Sequence, residues 1–441
     1  MYKKAVILLF ALLILSLCGC GAAAADNEGD AAVRQATVSG TVCGANGKAL
    51  IAQVVIFGAE GITRINTDML GRFSVVLPLG EYTFEITKGS EYERKTVQIQ
   101  VQDRKAKYLG SYELKKLYET DWIAGDLHQH SVYSFDATDS PAEILLSDLA
   151  AGLGYGVITD HNDVRANAEF QSASLDGFIP LAGVEITTDR GHYNAFNYSS
   201  VVDTTVSNGA ADIQRIIGEV RADSGAVLQI NHPMRGEFSF EDWALAEEFD
   251  TIEVWNGKSM PPYVKGDSNF QTLQKWYSLL NAGIYIPATA GSDNHDISGN
   301  KMFASDTYGS DDERYFMTSM YSGSPRTYVY AQPDSQSILA AICAGNSFLT
   351  NNPLAFLDVE GAIPGQSVPA GERDIHVLVE SNRRLLHYTL IKNGEVLYEA
   401  DASGLTIEKT VSVSLQAGDW VVLEVRGENG DYALTNPVFI N

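Results

Sequence analysis

The chain has 441 residues and a formal net charge of −25 at pH 7. That length exceeds what one compact core supports, so several domains are expected. So acidic a balance argues against nucleic acid or an anionic membrane surface as partner, because both require a basic face to neutralise phosphate charge.

Lys3 and Lys4 precede an uncharged run from Ala5 to Leu17, which suits a signal-peptide core and is short for a membrane-spanning helix. The run ends Leu17-Cys18-Gly19-Cys20, which resembles the bacterial lipobox, with a small residue before the lipid-bearing cysteine. Cys20 is the expected acceptor, since Cys18 would put bulky Leu17 at the cleavage position. Residues 1–20 therefore read as a lipoprotein signal peptide and residues 21–36, small and polar, as a flexible tether. The mature protein is expected outside the bacterial cell membrane, held there by its lipid anchor only. Cys43 and Cys343 remain, far apart in sequence, and read as two buried small apolar residues with no disulfide framework.

From residue 37 to 114 short β-rich runs alternate with Gly and Pro turns, which predicts a small β-sandwich. The succession Gly40-Thr41-Val42, Thr67-Asp68 to Gly71-Arg72-Phe73, and Gly80-Glu81-Tyr82 resembles prealbumin-type regulatory domains found beside carboxypeptidases. Such a resemblance implies a fold and no chemistry. From 121 to 327 apolar β runs alternate with helical stretches. Ser140-Pro141-Ala142-Glu143 predicts a capped helix start, and Ile213 to Val220 a second helix. That alternation implies a parallel sheet, which closes into an α/β barrel. Residues 328–441 return to β and predict a second sandwich, with an Asn393-Gly394 hairpin and one helix from Ile338 to Ala344.

Six of the eight histidines lie in the middle segment: residues 128, 130, 161, 192, 232 and 295. Apolar runs there end directly in potential ligands, namely Asp160-His161, Glu185, Asn231-His232, Glu253, and Asp293 with His295. In an α/β barrel the strand ends converge on one face, so such residues would meet in space. Asp126-Leu127-His128-Gln129-His130 opens the series. Residues two apart on a strand share a side, so His128 and His130 can bind one ion while Asp126 orients them. Arg235, after His232-Pro233, is placed to pair with an anionic substrate group, although a plain surface arginine fits better. Trp255-Asn256 lines the pocket or packs beneath it. His376 and His387 lack carboxylate company in the sequence and read as structural.

The ordered motifs His128-Gln129-His130, Thr159-Asp160-His161-Asn162, Glu185 with His192, Asn231-His232-Pro233 and Gly291-Ser292-Asp293-Asn294-His295 resemble the polymerase-and-histidinol-phosphatase (PHP) superfamily of metallohydrolases. Glu253-Val254-Trp255-Asn256-Gly257 and Phe348-Leu349-Thr350-Asn351-Asn352-Pro353 bring it near the carbaryl-hydrolase-like branch. The resemblance implies an α/β fold, a distorted (β/α)7 barrel flanked by the two sandwiches, and two or three divalent ions. It implies that His128, His130, Glu185 and Asp293 hold one ion. Glu185 would bridge to a second held with His192 and His232, while His161 and His295 would hold a third. Asp136 would complete that third set, with Ser134 and Asp139 competing for its place. Asp160 and Asn256 would orient ligands. Imidazole and carboxylate ligation suits Zn, Mn or Fe.

Clustered ions of this kind activate water, so the expectation is hydrolysis of an ester bond, with Glu185 and Arg235 as the residues nearest the chemistry. A phosphoester on a small molecule or at the cell surface is the first expectation, and a carboxylic ester or carbamate the second. A binding lipoprotein on a metal-bearing scaffold without catalysis is the third.

Overall fold

The computed structural model describes residues 34–59, 61–223, 225–297 and 321–441. The expected signal peptide, Cys20 and nearly all of the tether lie outside the described residues. Among the described residues no helix is long and apolar enough to cross a membrane.

The first region holds strands β1 (Gln35–Gly44), β2 (Gln53–Gly58), β3 (Gly61–Asn66), β4 (Arg72–Pro78), β5 (Gly80–Thr87), β6 (Lys95–Val101) and β7 (Lys107–Leu114). Along β1 every second residue is buried, the period that one buried face imposes on a strand. The strands form two sheets, ordered β4-β1-β7 and β3-β2-β5-β6, around Val38, Val54, Ile56, Phe73, Phe84 and Ile86. This unit docks onto the rest through half-buried polar groups. Lys88 Nζ donates to the carbonyls of Ile51 and Leu149 at 2.9 and 2.7 Å, and the Asn382 amide donates to the carbonyls of Gly89 and Tyr92.

The middle region begins with β8 (Trp122–Asp126), α1 (Pro141–Ala150), β9 (Tyr155–Val157), α2 (Arg165–Ala173) and β10 (Ile179–Leu181). It continues through β11 (Gly183–Thr188), β12 (Gly191–Phe196), α3 (Ala210–Arg221), β13 (Val227–Ile230), β14 (Thr251–Asn256), α4 (Ser268–Asn281) and β15 (Ala288–Gly291). β16 (Arg326–Tyr330), α5 (Ser335–Ala344) and β17 (Ser347–Thr350) lead out of it. Helix α1 starts as its sequence dictates, with Ser140 and Glu143 capping each other and Ile144 and Leu145 turned inward.

The α/β barrel expected from the alternation, a distorted (β/α)7 barrel by the resemblance, is not what forms, and across the described chain strand dominates over helix. The strands divide between two sheets. One is ordered β11-β12-β13-β14-β15, and the other runs β10-β9-β8-β16-β17 and on into the C-terminal strands. β11 with β12, β12 with β13, β8 with β16 and β16 with β17 all pair antiparallel. The physical reason sits at Asp189-Arg190: so tight a turn leaves no length for the crossover a parallel neighbour requires. The two sheets touch at isolated bridges between Gln129 and Asn294 and between His161 and Glu185.

C-terminal strands Leu354–Val359, Gly371–Glu380 and Thr406–Leu415 form a further sheet, which packs Leu357, Val377 and Val379 against Leu423 and Val425. Asn393-Gly394 turns the expected hairpin, both residues at positive φ of 55° and 84°. Because β16 pairs with β8 on one side and β17 on the other, the middle and C-terminal regions share one sheet. Cys43 and Cys343 are free; the first is half-exposed and the second exposed, so neither is the buried residue expected. Cys43 lies on the half-exposed face of β1, and Cys343 lies on α5 outside its buried face of Ile338, Leu339, Ala341 and Ile342.

Candidate metal centre

The centre lies where the two sheets meet. His128 and His130 follow the end of β8, and His161 follows β9. Glu185 lies on β11, His192 on β12, His232 just past β13, and Asp293 and His295 just past β15. Leu127 before the paired histidines and Gln129 between them are also buried, so the segment is fixed from both sides. Three residues here take left-handed backbone: Asn162 at φ 52°, His232 at 25° and Asp293 at 51°. Such conformations cost about 1–3 kcal/mol each in a residue other than glycine, and they concentrate at functional sites.

Glu185 is the hub. Its Oε1 lies 3.3 Å from His128 Nε2, 3.2 Å from His192 Nδ1 and 3.4 Å from His232 Nε2. Its Oε2 lies 3.5 Å from His130 Nε2 and 2.8 Å from His161 Nδ1. Asp293 Oδ1 lies 3.2 Å from His130 Nε2 and 3.6 Å from His128 Nε2. Asp136 Oδ2 completes a corner, 3.1 Å from His295 Nε2 and 3.6 Å from His161 Nε2. The sets His128-His130-Glu185, His128-His232-Asp293, His161-Glu185-His192 and His130-His161-His295 each gather their donor atoms within 4.8 Å.

This arrangement fits divalent ions. The Nε2 atoms of His128 and His130 are buried and make no hydrogen bond, although each ring is held from behind. His128 Nδ1 faces Glu253 Oε1 and His130 Nδ1 faces Ser134 Oγ, both at 3.0 Å. A buried nitrogen without a partner calls for a ligand, and a ring oriented from behind by a carboxylate or hydroxyl is the usual setting of a metal-binding imidazole.

The buried carboxylates and imidazoles shift one another strongly. Burial opposes ionisation of Glu185, yet His128 and His192 overcome it and hold the carboxyl well below its ordinary range. Burial likewise opposes a charge on His128, but Glu253, Asp293 and Glu185 raise its pKa well above the usual imidazole value. His130 goes the other way, pushed well down by burial with His295 beside it.

All nine residues expected as ligands are brought together. Asp126 pins backbone, accepting from the amides of His128, Ser292 and Gly323 at 3.2, 3.0 and 2.6 Å. Asp160 accepts from Ser131 and from Ser134 Oγ, and through Ser134 it reaches both the His130 ring and the His161 backbone amide. Asn256 donates to both Glu253 and Asp293 at 3.1 Å. Arg235 Nη1 lies 3.0 Å from Asp293 Oδ2, at the edge of the centre. Trp255 is fully buried against Tyr432 and does not line the site.

Glu253 was legible as a strand-end acid, but its place is behind His128. Lys258 was not singled out at all. Its Nζ lies 3.0 Å from His295 Nε2 and 3.5 Å from Asp293 Oδ1. The available signal was its place just past the end of β14, the position that also marks His232, Asp293 and His295. Gly257 lets it in: a Cβ there would stand 2.4 Å from the Ser292 carbonyl oxygen. Two aromatic rings edge the site. Phe135, 87% exposed, stacks on His161, and Phe238 lies against His192.

No family model and no curated protein sequence matches the chain. Among solved structures, it is similar to a two-domain protein from Bacteroides vulgatus that contains a predicted PHP-like metal-dependent phosphoesterase. That match has 16% identity and a TM-score of 0.43, covering 70% of this chain and 92% of that one. A candidate metal-dependent phosphoesterase from Bifidobacterium adolescentis matches at 18% identity and a TM-score of 0.31, over 45% of this chain and 96% of that one. An amidohydrolase from Chromobacterium violaceum, with bound sulfate and no metal, matches at 16% identity and a TM-score of 0.26, over 39% and 87%.

Proposed function

We propose that this protein is a metal-dependent hydrolase of phosphoesters, exported and anchored through a lipid on Cys20. The observation that carries the catalytic reading is Glu185, with five imidazoles around its two oxygens and the Nε2 atoms of His128 and His130 buried without hydrogen bonds. His128, His130, Glu185 and Asp293 would hold one ion, and Glu185, His192 and His232 a second. Zn, Mn or Fe suits such ligands, and divalent ions so held lower the pKa of water and neutralise charge on phosphoryl oxygens.

The chain's own residues supply the rest. Glu253 and Ser134 fix the rings of His128 and His130, Asp160 fixes Ser134, and Asp126 ties the His128 segment to Ser292. Arg235, held at the edge by Asp293, is available to pair with a substrate phosphoryl oxygen. A second reading, a carboxylic ester or carbamate, is favoured by the exposed Phe135 ring beside His161, since apolar walls suit an aryl ester.

The test is a panel of matched aryl phosphate monoesters, phosphate diesters and carboxylate esters, assayed with added Mn or Zn. Phosphate esters are expected to turn over at least about tenfold faster than their carboxylate counterparts, a difference of about 1.4 kcal/mol in barrier. Faster cleavage of carboxylate esters or carbamates would move the assignment to the second reading.

A further inference from the structure

His295 Nδ1 lies 2.9 Å from the Asp293 backbone carbonyl oxygen. A carbonyl only accepts, so Nδ1 carries a hydrogen, and the neutral ring then presents its lone pair at Nε2. Lys258 Nζ stands 3.0 Å from that Nε2, and its side chain is only 7% exposed. An ammonium only donates, so one of its hydrogens points at the lone pair. An ion on the same nitrogen would sit at roughly 2.0–2.1 Å, inside the space the ammonium fills. One lone pair serves one cation. Asp136 Oδ2, 3.1 Å from the same Nε2, faces that same position.

Charge points the same way. The carboxylates gathered here are Asp136, Glu185, Glu253 and Asp293, and the fixed cations are Arg235 and Lys258. With Asp126 and Asp160, buried in the same wall, six carboxylates balance two divalent ions together with Arg235 and Lys258. A third ion would leave two positive charges uncompensated in a buried site, which is costly.

We propose that Lys258 takes the place of a third ion. The centre then holds two divalent ions about Glu185, and the ammonium fills the corner of His295 and Asp136. This rests on the hydrolase reading above.

The test is elemental analysis of the full chain after metal loading and removal of excess ion, with folding checked by circular dichroism. The wild type is expected to hold two equivalents, as is Lys258→Arg, which keeps the charge. Lys258→Met, or Lys258→Ala should the first fold poorly, is expected to hold three. Three equivalents in the wild type, or two in both folded neutral variants, would overturn the assignment of Lys258 and leave the hydrolase reading standing. A wild type that binds no metal would remove the hydrolase reading and this inference with it.

Discussion

Glu185→Gln is expected to lower kcat/KM on the order of a thousandfold, about 4 kcal/mol of transition-state stabilisation, and to lose bound metal at the same time. The change is nearly isosteric, so packing is kept, but an amide offers one neutral oxygen where the carboxylate turns one oxygen toward His128, His192 and His232 and the other toward His130 and His161. Ions on both sides would each lose a charged ligand. Arg235→Ala, at the edge of the centre, is expected to cost roughly ten- to a hundredfold, the range of one charge-assisted contact to substrate. Steady-state kinetics with elemental analysis on folded protein decides between them. A Glu185→Gln variant that keeps its metal and stays within about tenfold of wild-type kcat/KM would mean that the centre is not built around this residue.

Gly291→Ala is expected to be the most damaging of the small substitutions. A Cβ there would stand 2.4 Å from His128 Cβ, 2.9 Å from His128 N and 3.1 Å from Glu253 Oε1. The first two atoms belong to a segment held by Asp126, so they cannot retreat without moving the ligands themselves. Overpacking of this kind costs about 3 kcal/mol, read as a lower urea midpoint at unchanged slope. Lost metal affinity should accompany it, because β15 is forced away from His128. A change within about 0.5 kcal/mol, the usual range of a neutral surface substitution, would show that β15 and the His128 segment are less tightly apposed than described.

Most of the expected ligands were legible because they stand directly after an apolar run, a local pattern, whereas Asp136 and His192 follow none and were reached through the resemblance alone. The start of α1 and the Asn393-Gly394 turn were legible for the same reason, since caps and two-residue turns are decided by neighbours in sequence. Sheet topology was not. Whether β12 lies antiparallel to β11 or beyond a crossover depends on a turn of two residues, Asp189-Arg190, which resembles any polar loop when read alone. The roles of Ser134 and Glu253 were hidden because they act behind the imidazoles, and their partners come from segments distant in sequence. His387 shows the converse: it has no acidic neighbour along the chain, yet strand pairing sets Asp401 3.0 Å from its Nδ1 on the exposed surface.

The measurement closest to the central claim is the metal content of the full chain purified without chelator, taken with hydrolysis of an aryl phosphate before and after exhaustive chelation and after metal is restored. At least one equivalent of a transition metal is expected, with turnover lost on chelation and recovered on reloading with Zn, Mn or Fe. Less than one equivalent even after reloading, or phosphate hydrolysis that chelation leaves unchanged, would contradict the account.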